Sequence, residues 1–564
     1  MLSQWLQQAK SGQSVWLSDV RRDCEALPEH VAVTMQLTLT DGTRRDFSLP
    51  IPRWEGAEQR QFAAQYVTAC VFNTLSALSG REMAFYLDLR ETEVVALLGE
   101  LNDIFQVHET VRSGYGKVVN IANRLCRAFG GGTFSFAVRD RSAYVPTAPE
   151  PQRGGDLLPR LRRSVERCGR GVCCGIDIGG TDIKAAVAVD SRLVCVKEYD
   201  WNPAASPVAE GLTGPITLLV RLMACCAAGV TPALQAALDK DAGDEEMARA
   251  VAQSASVPLD VLGISFPDVV IRDRIVGGES PKTKGMRENP AIDYETAFAE
   301  LGALAALLRP YCRDGAAIHM TNDGHIAAFT AAAELACSGG EPDFSGGVIA
   351  HALGTDFGVG YLDSDGSIPE MPVELYDFLL DLGSFPQRAL PPEDLRSTRN
   401  ENSGLPGARR YLGQAAAFRL AYDADPALLA GFIEERNGIL AIRQTPEDMR
   451  KPCLAYLMEQ AAAGNAAAQS VFRQIGRNVG QISREMRWLM QPRTDVRYLF
   501  GRFVKHPACF RLLQEGCREI VPDLRLEAAD EDLMCTPLMR QLPEHGVTVA
   551  QFGQAVGAMY YAAI

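Results

Sequence analysis

Residues 172–190 read "VCCGIDIGGTDIKAAVAVD", and the fold turns on how this stretch is understood. An apolar run ends at Asp177, the pair Gly179-Gly180 and Thr181 follow, and a second apolar run restarts at Ile183. Two strands joined by a tight turn fit this pattern. It is neither a P-loop, which needs G-x-x-x-x-G-K-[ST], nor a dinucleotide fingerprint, which needs G-x-G-x-x-G opening a helix. At the end of a strand the Asp177 carboxylate can emerge into a cleft. The two glycines let backbone N–H groups come close to an anion, and Thr181 adds a hydroxyl donor. Such a hairpin offers donors to the phosphates of a nucleotide, and an acidic residue at its base helps hold the bridging metal. The same residues also suit an ordinary hairpin with a glycine turn.

Two further stretches bear on that choice. "GGVIAHALGTDFGVGYLDSDG", 346–366, repeats the design: an apolar strand, Gly354-Thr355, then Gly358 and Gly360 in the restarting strand. Two such hairpins could clamp phosphates from two sides. "AIHMTNDGHIAAFTAAAEL", 317–335, is a strand that delivers Asn322-Asp323 to the start of an Ala-rich helix. A carboxylate there can take the proton of a hydroxyl as it attacks phosphorus. Either residue can equally serve as a helix cap.

The chain has 564 residues, enough for two or three domains, and its 47% hydrophobic and 22% charged content can fill large cores. A net charge of -14 disfavours a nucleic-acid binder. The fifteen cysteines include adjacent pairs, Cys173-Cys174 and Cys225-Cys226, but no C-x-x-C, and several lie in apolar runs. They read as reduced buried thiols. No signal-peptide pattern opens the chain, and no run of about 18 apolar residues suggests a membrane span. A cytoplasmic protein with no membrane partner is expected.

The expected organisation is an N-terminal α+β domain (1–150) and a Pro/Gly/Arg-rich linker (151–170). A first lobe (171–320), a second lobe (321–545) and a C-terminal helix returning to the first (546–564) follow. In the N-terminal part Val31, Val33, Met35, Leu37 and Leu39 alternate with polar residues before an Asp41-Gly42 turn and a return strand. Residues from about 59 to 127 read as mostly helical. The arginines 160, 162, 163 and 167 of the linker read as a solvated helix face.

In order, Asp-x-Gly-Gly-Thr, Asn-Asp before an Ala-rich helix, and Gly-Thr-x-x-Gly resemble the sugar kinases of the actin-like ATPases. The ROK-type kinases (repressor, open reading frame, kinase) are the most similar group, over about 171–564. "GISFPDVVIRDRIVGGESPKTKGMRENP" resembles their Gly-x-x-x-Pro-Gly-x-Val loop and sugar-contacting segment, and "YLFGRFV" their adenosine-motif strand and turn. The resemblance implies a two-lobed actin-like, ribonuclease H-like α/β fold and ATP-dependent phosphorylation of a hexose or N-acetylhexosamine, with Mg2+. Asp323 would be the general base. Asp177, Gly179, Gly180, Thr181, Lys184, Gly354, Thr355 and Gly358 would handle ATP phosphates, Asp177 would also hold Mg2+ directly or through water, and Gly501 would lie under the nucleoside. Asn289, Asn322, Pro267 and Glu374 would contact the sugar. A homodimer is compatible with this reading.

The chain departs from the family pattern at named places. The close-packed C-x-C-G-x-x-G-C cluster is absent, so no structural zinc is expected. Glu-x-Gly-His is missing, and "PEMPVELYDF" offers Glu370 and Glu374 instead. Asp356, Arg502 and Asp268 stand where the family has glycine. A binding-only regulator or scaffold of the same fold is the alternative reading.

Overall fold

The structure, a computed structural model, describes every residue except 108–113, 149–154, 278–279, 355–356, 384–388, 401–402 and 530–532. The chain folds into two compact units. One comprises Met1–Pro151, Ala352–Gly358 and Met371–Ala528, the other Gln152–His351, Val359–Glu370 and Ala529–Ile564.

In the first unit the alternation near the N-terminus forms β1 (His30–Thr38) and β2 (Arg44–Pro52), paired antiparallel with Val31 opposite Ile51 and Leu37 opposite Arg45. Gly42 takes φ +88° at the turn, where the Asp41 carboxylate accepts from the backbone N–H and hydroxyl of Thr43. β3 (Glu82–Leu87) and β4 (Ser135–Asp140) complete a sheet of order β2-β1-β3-β4. β3 interrupts the region expected to be helical, because its short apolar run, Met83–Leu87, carries no period that separates strand from helix.

The expected free-standing domain 1–150 is instead part of a larger compact unit. Arg21 makes a buried bidentate ion pair with Glu485, at 2.6 and 3.2 Å, and its guanidinium stacks 3.8 Å over Trp488. Phe47 packs against the same Trp488 ring at 5.3 Å. Both partners lie on the helix Ala466–Met490, whose buried face runs Phe472, Ile475, Val479, Ile482, Met486 and Leu489. The helix Gly56–Leu78 is buried on nearly all faces from Phe62 onward, as expected for a segment enclosed within one core.

The second unit is built on β5 (Val172–Ile178), β6 (Asp182–Val189), β7 (Arg192–Asp200), β8 (Leu259–Phe266) and β11 (Cys312–Asn322). A small hairpin, β9 (Val270–Ile271) and β10 (Arg274–Ile275), lies between the last two in sequence. The sheet order is β11-β8-β5-β6-β7, with β5, β6 and β7 antiparallel and β5, β8 and β11 parallel. Numbered within the unit this is 3-2-1-4-5 read from β7, the sheet of the ribonuclease H-like, actin-type fold expected from the sequence.

One face of the sheet, with Ile176, Ile178, Ile264 and Phe266, buries against the helix Glu210–Ala228 through Leu212, Ile216, Leu219 and Met223. That helix is the one described segment long and apolar enough to cross a membrane, and its apolar face is occupied by this core. On the other face the helix Val549–Ala562 lies so close that a Cβ on Gly175 would stand 1.9 Å from the Ala555 carbonyl oxygen. One on Gly263 would stand 1.8 Å from that of Ala558. Glycine is required at both positions because helix backbone occupies the side-chain space.

The strong contacts of this unit run through 321–351, so the break expected at residue 320 falls elsewhere. β12 (Val348–Leu353) and β13 (Phe357–Leu362) form the second glycine hairpin. Its tip, 352–358, belongs to the first unit, together with the hairpin β14 (Ile433–Arg436) and β15 (Ile439–Ile442) and the parallel pair β16 (Val496–Phe500) and β17 (Arg525–Ala528).

Candidate active site

The C-terminal ends of β5, β8 and β11 lie at one edge of the second unit's sheet, where open α/β sheets gather their ligands. Asp177 ends β5, Pro267 follows β8, and Asn322 ends β11. Register places Asp177 beside Ser265, and Thr321 beside Ser265 from the other side. With two strand spacings between β5 and β11, the backbones at Asp177 and Thr321 stand roughly 10 Å apart, and Asp323 lies two residues beyond Thr321 at the start of the following helix.

Each carboxylate is held by a specific neighbour. The Ser265 hydroxyl donates to Asp177 Oδ1 at 2.7 Å. Burial pushes the Asp177 carboxyl up to about 6. The Ser265 hydrogen bond pulls it back, the charge of Asp323 adds to the rise, and Lys184 opposes it. Burial likewise raises Asp323, opposed first by the Lys282 ammonium and then by the Gly324 N–H, while Asp268 adds to the rise. Both carboxylates therefore sit where an ionised form costs more than in water.

The start of the helix Asp323–Ala336 is pinned by close packing. A Cβ on Gly324 would lie 2.4 Å from the Val359 carbonyl oxygen, and one on Gly360 would lie 2.1 Å from the Gly324 carbonyl oxygen. Gly360 thus brings β13 against this helix. The Gly324 N–H is accepted by both Asn322 Oδ1 and Asp323 Oδ1 at 2.8 Å, and Asn322 Nδ2 donates to the Asp268 carbonyl at 3.0 Å. Asn322 is the helix N-cap, with its amide turned to protein backbone.

The first glycine hairpin is as tight as its composition suggested. Gly179 N–H donates to the Asp182 carbonyl at 2.8 Å, and a Cβ on Gly179 would come within 2.7 Å of that oxygen. Trp201 braces the turn, its indole N–H donating to the Gly179 carbonyl at 3.1 Å and its backbone N–H to that of Thr181 at 3.0 Å. Lys184 pairs with Asp182. Among the described residues only the Lys282 side chain comes within 4 Å of a Cβ built on Gly180, its Cε at 3.8 Å. Lys282 Nζ donates to the Pro267 carbonyl at 3.2 Å.

Eight sequence-predicted residues, Asp177, Gly179, Gly180, Thr181, Lys184, Pro267, Asn322 and Asp323, thus belong to this strand-end region of one unit. Asn289 belongs to the same unit, but its side chain is committed, Nδ2 to the Pro207 carbonyl at 2.9 Å and Oδ1 from Ala291 N–H at 3.0 Å. Glu370 pairs with Arg272.

The other unit holds Gly354, Gly358, Gly501 and Glu374. There Gly501 takes φ +95°, and a Cβ on it would stand 2.2 Å from the Leu353 carbonyl oxygen, so β16 ends directly against the tip of the second hairpin. The Gly354 carbonyl accepts from Gln414 N–H at 3.0 Å. Arg502 is exposed, and the Glu374 N–H donates to the Ser76 carbonyl at 3.0 Å. Thr355 and Asp356 lie outside the described residues. Sequence reasoning missed Ser265, Trp201 and Lys282. A polar residue in the apolar run Val261–Phe266 of β8, two positions before Pro267, was the available signal for Ser265.

The donor set suits Mg2+. Asp177, Asp182, Asp268 and Asp323 face two lysines, and the unfavourable charges of Asp323 on Asp177 and of Asp268 on Asp323 are what a divalent cation relieves. Among the described residues no group of three or more His, Cys, Asp or Glu could hold a metal. A Mg2+ ion that takes one carboxylate from the protein and the rest of its shell from phosphate and water needs no such group.

No protein-family model matches the chain, and no curated protein matches it in sequence. Among solved structures it is similar to a ROK family glucokinase from Streptomyces griseus in complex with glucose and AMPPNP. That match has 17% identity, covers 69% of this chain and 98% of that one, and has a TM-score of 0.36. A ROK hexokinase from Thermus thermophilus matches at 18% identity over 68% and 98%, TM-score 0.37. A glucokinase from Balamuthia mandrillaris in complex with glucose matches at 13% over 72% and 97%, TM-score 0.37. The fold assignment rests on the strand order given above.

Proposed function

We propose that this chain is an ATP-dependent sugar kinase of the ROK type, which transfers the γ-phosphoryl group of ATP to a hydroxyl of a hexose or N-acetylhexosamine. The observation that carries the reading is the pair Asp177 and Asp323, at the ends of parallel strands two apart, beside a glycine turn that leaves its Gly180 corner open.

In this reading Asp323 accepts the proton of the sugar hydroxyl as its oxygen attacks phosphorus. Its position is fixed by the Gly324–Gly360 contact, so the base is placed before substrate arrives. Its raised proton affinity brings it nearer the operating pH, where a general base is most effective. Asp177, oriented by Ser265, would hold Mg2+ directly or through water, and the ion would neutralise phosphate charge. The turn 179–181 would present backbone N–H groups and the Thr181 hydroxyl to phosphate oxygens. Gly354, Gly358 and Gly501 are the residues assigned to the nucleotide in the other unit. Asn322 and Asn289 shape the sugar side through the backbone they hold, since their amides are already bonded.

The test is ADP release from ATP–Mg2+ with a panel of hexoses, hexosamines and N-acetylhexosamines, with the phosphorylated product identified by mass. Sugar-dependent release with a matching sugar phosphate supports the reading. Release that is independent of every sugar, or no release at all, contradicts it.

A further inference from the structure

We infer that Lys282 is a phosphoryl-binding residue of this site, contacting the group in transfer between the Gly180 turn and Asp323. The inference rests on the kinase reading above and adds to it a residue not named among the site residues expected from the sequence.

Three independent placements converge on this side chain. Its Cε lies in van der Waals reach of the space above Gly180, so the side chain passes beside the corner of the turn assigned to phosphate. Its Nζ is tethered to the Pro267 carbonyl at 3.2 Å, at the end of β8 between the two carboxylate-bearing strands. It is also the foremost positive influence on Asp323. An ammonium has three N–H donors, and the tether uses one, leaving two for phosphate oxygens.

The segment around it is held, not trailing. Thr283 is buried and accepts from the Tyr294 hydroxyl at 3.0 Å and from Arg287 at 3.0 Å. Lys284, two residues on, is exposed and paired only distantly with Glu288, at 3.8 Å. Position, more than lysine content, therefore singles out residue 282.

The chemistry balances without any further reactant. The sugar hydroxyl oxygen forms the new O–P bond as the bond from the γ-phosphorus to its bridging oxygen breaks. ADP leaves with that electron pair, and the hydroxyl proton passes to Asp323. Lys282 donates to the equatorial oxygens and offsets their charge, an interaction stronger in the transition state than in bound ATP.

The experiment compares Lys282→Met, Lys282→Arg and, as a surface control, Lys240→Met, whose side chain is exposed and pairs with Glu198, in the full chain. Sugar-dependent turnover is measured as separate kcat and sugar KM, alongside calorimetric binding of inorganic tripolyphosphate and a thermal melt. Expected for Lys282→Met is a kcat loss of roughly 10²–10³-fold at nearly unchanged sugar KM, weaker tripolyphosphate binding and an unchanged melt. Lys282→Arg should recover part of the loss, and Lys240→Met should resemble the unmodified chain. Unmodified-chain turnover matched by Lys282→Met, or a loss of equal size in Lys240→Met, would overturn this inference alone. Neither turnover nor tripolyphosphate binding by the unmodified chain would overturn the kinase reading and this inference with it.

Discussion

Replacing Asp177 by Asn should stabilise the protein in a strictly pH-dependent way. In the folded chain this carboxyl is pushed from 3.8 up to about 6, chiefly by burial. The unfolded chain therefore gives up its proton first as pH rises. Stability is lost between the ordinary carboxylate value and about 6, and the loss is complete above that. At about 1.4 kcal/mol per unit the full penalty is about 3 kcal/mol. The residue keeps a partial face to solvent, which lowers the expected figure to about 2 kcal/mol. An asparagine is neutral at every pH, and its Oδ1 can still accept the Ser265 hydroxyl. The gain should thus be near zero at pH 4 and reach its plateau by pH 7.5. For a unit of this size that is a rise in Tm of roughly 4–8 °C. The assay is a pair of thermal melts, unmodified and variant, at both pH values in chelator, because a bound cation would itself stabilise the carboxylate. A gain of equal size at pH 4 and pH 7.5, or a loss at pH 7.5, would refute the burial argument.

Gly263→Ala should cost several kcal/mol, because its Cβ would lie 1.8 Å from the Ala558 carbonyl oxygen and the helix Val549–Ala562 would have to move; denaturant titration measures this, and a near-native midpoint would contradict the packing. Gly180→Val should leave the melt unchanged, since only the flexible Lys282 side chain is nearby, yet abolish detectable triphosphate binding by calorimetry. Retained affinity would remove the turn from the phosphate site. Arg21→Ala leaves Glu485 charged and buried, at a cost of about 3–5 kcal/mol. A midpoint shift under about 1 kcal/mol would show that residues 1–150 do not share the core of 371–528. The acid limb of kcat/KM should titrate above the ordinary carboxylate range, because the base must be ionised and burial raises Asp323. A limb at or below pH 4 would exclude it as the base.

How far these features could be foreseen depended on sequence distance. Asp177, the Gly179-Gly180 turn and the Asn322-Asp323 step each lie within one strand–turn segment, where apolar runs and glycines carry local meaning. Ser265 and Asp177 are 88 residues apart, and Lys282 reaches Gly180 across about a hundred, so no periodicity joins them. Gly175 and Gly263 interrupt apolar strands on the same face as Asp177 and Ser265. Their reason lies in a helix near residue 555, and a glycine inside a strand signals close approach without naming what approaches. Residues 1–150 gave a legible hairpin, but their attachment depends on Arg21 meeting Glu485, 464 residues later. The amide of Asn322 could serve a ligand or a cap, and only the hydrogen bonds from Gly324 and to Asp268 distinguish the two.

The most direct test of the central claim is formation of sugar phosphate in a single turnover, with enzyme in excess over ATP, by the unmodified chain and by Asp323→Asn. The account predicts product from the unmodified chain and a loss of at least about 10²-fold in the variant, with tripolyphosphate still bound and the fold intact. Equal product from both proteins would contradict the assignment of Asp323 as the base on which this account stands.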